Sequence, residues 1–159
     1  MKKTLSVLLT LFLCFGVSAQ KLSLHDINSG KFSPKGIAPV NSSPDGEFYY
    51  QANGQRSQII KYEYKTGNAV GVIFDAKTAR ESTIESFDGF IVSPDEKRIL
   101  VYTDSESIYR RSFKAVLYNY DIRRNMIKKL TNNTAKQSIP KFSRDGRMLA
   151  YMADNDLWL

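Results

Sequence analysis

A four-residue turn recurs three times at a fixed interval, and no other feature limits the fold of this chain so strongly. Ser43-Pro44-Asp45-Gly46, Ser93-Pro94-Asp95-Glu96 and Ser143-Arg144-Asp145-Gly146 are spaced 50 residues apart. Proline presets φ for a turn, aspartate accepts from the backbone just ahead, and glycine takes positive φ. Each turn leads into a short β-rich run, at residues 48–50, 99–102 and 148–151, and apolar stretches at 90–92 and 139–142 approach the second and third turns. Further strands are expected at 59–64 and 115–122. Lys65-Thr66-Gly67 and Arg123-Arg124-Asn125 end them as turns, and fourth strands follow at 70–74 and 126–130. Four short strands per repeat of roughly 40 to 50 residues is the pattern of a β-propeller blade. A β-sandwich with similar hairpins has shorter and less regular spacing. No stretch keeps a helical period over a dozen residues, and the polar residues 76–86 read as a connector.

The N-terminus reads as an export signal. Lys2 and Lys3 precede an apolar run at 5–15, and Val17-Ser18-Ala19 offers a small-residue cleavage site, so residues 1–19 are expected to be removed. The run is shorter than the roughly 20 residues that span a bilayer, so no stable membrane span is expected after cleavage. Leu13 stands where a lipoprotein signal needs a small residue. The protein is therefore expected to be periplasmic or extracellular. Cleavage removes Cys14, the only cysteine, and leaves no disulfide, thiolate nucleophile or cysteine metal site. It also lowers the formal charge from +7 to +5. The remaining cations are scattered among acids, unlike the clustered basic face of a nucleic-acid binder. No His, Cys and carboxylate spacing fits a metal, and no cofactor is expected.

Propellers close with about four to eight blades. Residues 20–159 supply two repeats and the start of a third, ending as a third strand of that blade opens. The expectation is an all-β, partial β-propeller of two to three blades in a truncated chain.

The two complete repeats differ between their second and third strands. The first has a short link at 53–58 with an Asn-Gly turn. The second carries the longer Asp104-Ser105-Glu106-Ser107-Ile108-Tyr109-Arg110-Arg111-Ser112. An insertion confined to one repeat tends to fall on a loop of one face, often the binding face, and this one combines an aromatic ring, two guanidinium groups and two acids. Residues 104–125, DSESIYRRSFKAVLYNYDIRRN, resemble the dipeptidyl peptidase IV family of the prolyl oligopeptidase clan. The match is to that family's aromatic-Arg-His-Ser-aromatic-x-Ala segment followed by Tyr-x-Tyr-Asp. The resemblance continues through residues 139–159, with their FSRDG turn and AYMADNDLWL strand pair. Bacterial members carry the same kind of leader and the same Ser-Ile-Tyr-Arg phrase.

The resemblance implies an eight-bladed propeller capping an α/β-hydrolase domain, the latter absent from these residues. It implies a peptide substrate with a free N-terminus and proline or alanine at its second position, and it allows a homodimer. It also implies that Arg110 contacts a substrate carbonyl through a charge-assisted bond. The family's His after that arginine is Arg111 here, so Arg111, beside Tyr109, is the other candidate. The plainer alternative makes Arg110 a surface cation paired with Asp104 or Glu106.

Catalytic residues are not expected in this stretch. It has no adjacent Glu pair to hold a substrate amine and no G-x-S-x-G elbow. Its one histidine, His25, lies near the mature N-terminus. Two rival functions share the repeat: a non-enzymatic exported propeller that binds or scaffolds, and an acylaminoacyl or oligopeptidase relative.

Overall fold

The computed structural model describes residues 22–159 apart from Lys35, Ile37 and Asn133. The signal expected at 1–19 lies outside the described residues. Two compact units divide the chain at residue 37. In the first, one turn of helix, α1 (Leu24–Asn28), is capped by Ser23, whose Oγ accepts from Asp26 N–H at 3.0 Å. His25 lies on α1 and is exposed. None of the described helices is long and apolar enough to cross a membrane.

The second unit is built from antiparallel strands. A four-stranded sheet runs in order through β1 (Asn41–Ser42), β2 (Phe48–Ala52), β3 (Gln58–Glu63) and β4 (Ala69–Asp75). The second repeat gives β5 (Gly89–Val92), β6 (Arg98–Ser107), β7 (Phe113–Asp121) and β8 (Met126–Lys129). The third gives β9 (Gln137–Phe142), β10 (Leu149–Ala153) and β11 (Asp156–Trp158). The strand positions follow the repeat, which confirms the all-β propeller reading.

Two departures matter. Residues 104–112 are not a free loop: β6 runs on to Ser107 and β7 begins at Phe113, so the insertion is a lengthened hairpin. The second and third blades also share one sheet. β8 covers β7 only from Tyr118 to Asp121, and β9 takes the free edge beyond it, pairing Ala115 with Gln137 and Lys114 with Ser138. Between those rungs, the Gln137 side chain accepts from Leu117 N–H at 3.0 Å and closes the gap in the ladder.

All three turns use one set of bonds. The serine N–H donates to the carbonyl five residues on, and its Oγ accepts from that residue's N–H. The distances are 2.9 and 3.0 Å for Ser43 with Phe48, 2.9 and 3.0 Å for Ser93 with Arg98, and 2.9 and 2.9 Å for Ser143 with Met148. Each serine hydroxyl donates to the aspartate two residues later. These bonds hold Asp45, Asp95 and Asp145 below the usual aspartate range. Serine and aspartate carry the motif, so Arg144 can replace the proline.

Period-two alternation explains the core. In β6, Ile99 and Val101 face one way and pack with Tyr50, Ile59, Phe74, Phe87 and Tyr120. Leu100 faces the other way and packs with Ala115, Leu117, Tyr151 and Ala153. A blade covered on both faces needs an unbroken apolar run rather than alternation with polar residues. Burying each such side chain stabilises by roughly 1.5 to 3 kcal/mol. The connector at 76–86 is less polar in effect than in composition, since Ala76 and Ala79 are buried in the first cluster.

Candidate functional site

The lengthened β6–β7 hairpin holds every sequence-predicted site residue. Its tip closes through Ile108 N–H and Tyr109 N–H, which donate to the Ser112 carbonyl at 2.8 and 3.3 Å. Tyr109 is 81% exposed, and Arg110 and Arg111 are exposed beside it. Such a turn projects three consecutive long side chains into solvent, where a ligand can reach them.

The pairing of Arg110 with Asp104 or Glu106 does not occur. Lys136 takes both acids instead, with its Nζ 2.9 Å from Asp104 Oδ2 and 2.7 Å from Glu106 Oε1. The hydrogen bond from Lys136 holds Glu106 below the usual carboxylate range, and Glu106, then Asp104, raises Lys136. Among the described residues, neither Arg110 nor Arg111 forms an ion pair.

The hairpin base is packed more firmly than its tip. Tyr102 stacks on Phe113 with centroids 4.7 Å apart, across the two strands. Tyr102 also lies over Gly89, where an added Cβ would come within 2.1 Å of the phenol oxygen. A cleft of about 490 Å³ opens alongside, lined by Glu106, Lys114, Lys136 and Ser138 with Asp154 and Asn155 from the next blade. Lys136 and Asp88, which also reaches the hairpin, were not legible as site residues. Their only sequence signal is position, each immediately before the first strand of a blade.

The described residues contain no cluster of three His, Cys, Asp or Glu side chains able to hold a metal. Arg110 and its neighbours can bind and orient a polar ligand.

Residues 93–159 match the family model described as dipeptidyl peptidase IV (DPP IV) N-terminal region. Among solved structures, the chain is similar to dipeptidyl peptidase 4 of Porphyromonas gingivalis, at 39% identity and a TM-score of 0.79. That alignment covers 89% of this chain and 20% of that one, so the chain spans about a fifth of that enzyme's length. The tricorn protease aligns far more loosely, at 22% identity and a TM-score of 0.45, over 74% of this chain and 11% of that one. Comparison with curated proteins gave no match. With residues 93–159 matching the family model and 39% identity over 89% of its length, this chain belongs to the N-terminal propeller region of the dipeptidyl peptidase IV family.

Proposed function

We propose that this chain is the leading part of the propeller of an exported serine exopeptidase. That enzyme releases dipeptides with proline or alanine at the second position from peptide N-termini. Residues 1–19 direct export and are cleaved, and residues 20–159 begin the propeller. The Ser-Asp-His chemistry belongs to a hydrolase domain elsewhere in the enzyme, and these residues serve it by binding substrate.

Arg110 contacts a carbonyl of the bound peptide, with Tyr109 beside it and Arg111 as the neighbouring cation. The observation that carries this reading is an exposed arginine at the tip of the one lengthened hairpin, free of the acids that flank it in sequence. A guanidinium is permanently charged and donates in a fixed fork, so it can orient a carbonyl without reacting. In solvent it costs little to keep uncommitted. Against a carbonyl in a closed site it contributes about 1.5 to 3 kcal/mol.

The test is Arg110→Ala in the enzyme that contains this chain, assayed with an X-Pro chromogenic substrate. The expected result is a loss of one to two orders of magnitude in kcat/KM, roughly the energy of one charge-assisted bond. Unchanged kinetics would exclude Arg110 and bring Arg111 forward for the same substitution. Absence of any dipeptide release by the wild-type enzyme would sink the peptidase reading itself.

A further inference from the structure

The hairpin leaves its blade through a bulge. The β6–β7 register shifts between Thr103 and Glu106, and Asp104 sits at φ 54°. An extra residue in an antiparallel pair leaves backbone groups outside the ladder and bends the strand. Here charged side chains from outside the hairpin engage two of those groups. Asp88 Oδ2 accepts from Ser105 N–H at 2.7 Å. Lys136 Nζ donates to the Asp104 carbonyl at 2.7 Å, in addition to its contacts with the Asp104 and Glu106 carboxylates.

Both side chains are themselves anchored. Asp88 N–H donates to the Tyr102 carbonyl at 2.8 Å, and the Asp88 carbonyl accepts from the Arg56 guanidinium at 3.0 Å. Lys136 stands one residue before Gln137, which is buried and bonded to both Leu117 and the Ala135 carbonyl. The Lys136 side chain is 20% exposed, against 70% for Asp104 and 57% for Glu106, so the cation is the enclosed member of the trio. One support comes from the start of the hairpin's own blade and the other from the start of the next.

We infer that Lys136 and Asp88 are positioning residues for Arg110: gripping the bulge from both sides, they set the angle at which the hairpin carries Arg110 to the substrate. The inference rests on the substrate-binding reading of Arg110 above. Bulges beside binding sites commonly re-aim a side chain. A displacement of the order of 1 Å is enough to cost about a hundredfold in rate.

The experiment is steady-state kinetics of the full-length enzyme with an X-Pro substrate, for Lys136→Met, Lys136→Arg and Asp88→Asn, each alone and combined with Arg110→Ala. Hydrogen exchange of the Ser105 and Glu106 amides is followed in parallel. Lys136→Met is expected to raise KM about tenfold with a smaller change in kcat, the mark of lost substrate binding. Lys136→Arg should restore most of the loss. Asp88→Asn should act in the same direction more weakly, and both bulge amides should exchange faster in the Met and Asn variants. In the Arg110→Ala background, Lys136→Met should change kinetics less than about twofold, because the two residues act as one unit.

If Arg110→Ala is impaired while Lys136→Met and Asp88→Asn match wild type, the positioning role is overturned and the Arg110 reading stands. An equal loss for Lys136→Met with and without Arg110 would also overturn it, since the effect would not pass through Arg110. Wild-type kinetics for Arg110→Ala would overturn the substrate-binding reading, and the positioning role with it.

Discussion

The Tyr50 hydroxyl donates across two blades to the carboxylate of Glu96, which occupies the turn position held by glycine in the other two repeats. That position needs positive φ: 74° at Gly46, 55° at Glu96 and 71° at Gly146. A left-handed conformation costs a non-glycine residue roughly 1 to 2 kcal/mol. That cost is offset at Glu96 by its bond to a buried phenol and by Lys61 Nζ, 3.6 Å away. Burial and the Glu96 carboxylate together push the Tyr50 phenol up.

Glu96→Gly should therefore destabilise rather than stabilise, by about 1 kcal/mol, since stranding a buried hydroxyl costs about 1 to 3 kcal/mol and outweighs the relieved strain. Tyr50→Phe combined with Glu96→Gly should recover that loss. Denaturant unfolding of the four members of the cycle measures the coupling. A Glu96→Gly protein more stable than wild type would mean that the cross-blade bond contributes little.

Ser93→Ala should be the costliest single change in the second turn. Ser93 is 1% exposed, and its Oγ both accepts from Arg98 N–H and donates to Asp95. Leaving that half-buried N–H unpaired costs at most about 1 to 3 kcal/mol. Pro94→Ala should cost less than about 1 kcal/mol, an unfolded-state entropy effect alone, as the third turn shows by folding identically with Arg144. Comparing the two midpoints of unfolding tests the ranking.

Gly89→Ala should disturb the hairpin from below. An added Cβ would meet the Tyr102 ring, which is pinned by its stack on Phe113 and cannot swing away freely. Overpacking of this kind costs about 1 to 3 kcal/mol. Tyr102→Leu in the same background should relieve part of it. Thermal melts of the single and double variants give the answer.

Acid should weaken the fold through carboxylates that the folded state holds below their ordinary range. Asp45, Asp95 and Asp145 all sit below the ordinary 3.8, held there first by their serines, and Glu106 sits below 4.5 through Lys136. A depressed folded pKa contributes stability that is complete above the unfolded value and is lost as pH falls through the folded one. The melting temperature should thus hold level above about pH 5 and fall below about pH 4. Asp95→Asn should start lower and fall less steeply. Lys136 has the opposite sense: raised above 10.5, its contribution is present below that pH and fades as alkali titrates it.

The blade architecture was legible because its causes are local. A serine and an aspartate two residues apart close each turn, and apolar residues every second position, or unbroken where both faces are covered, place β2, β6 and β10. Sequence alone therefore determined the repeat, most strand positions and the insertion that carries Tyr109, Arg110 and Arg111. It did not determine that residues 104–107 extend β6, because a polar, acidic segment carries no strand period. Nor did it reveal that Lys136 takes the acids beside Arg110, that Asp88 caps the bulge, or that Glu96 partners Tyr50. Those contacts join residues 32, 30, 17 and 46 positions apart. The Asp88 bond exists because β5 pairs with β6 within one blade, and the Lys136 and Glu96 contacts because the start of one blade is brought against its neighbour. The tertiary structure decided them, since Coulombic and hydrogen-bonding partners at that range are chosen by packing and not by the chain's own neighbours.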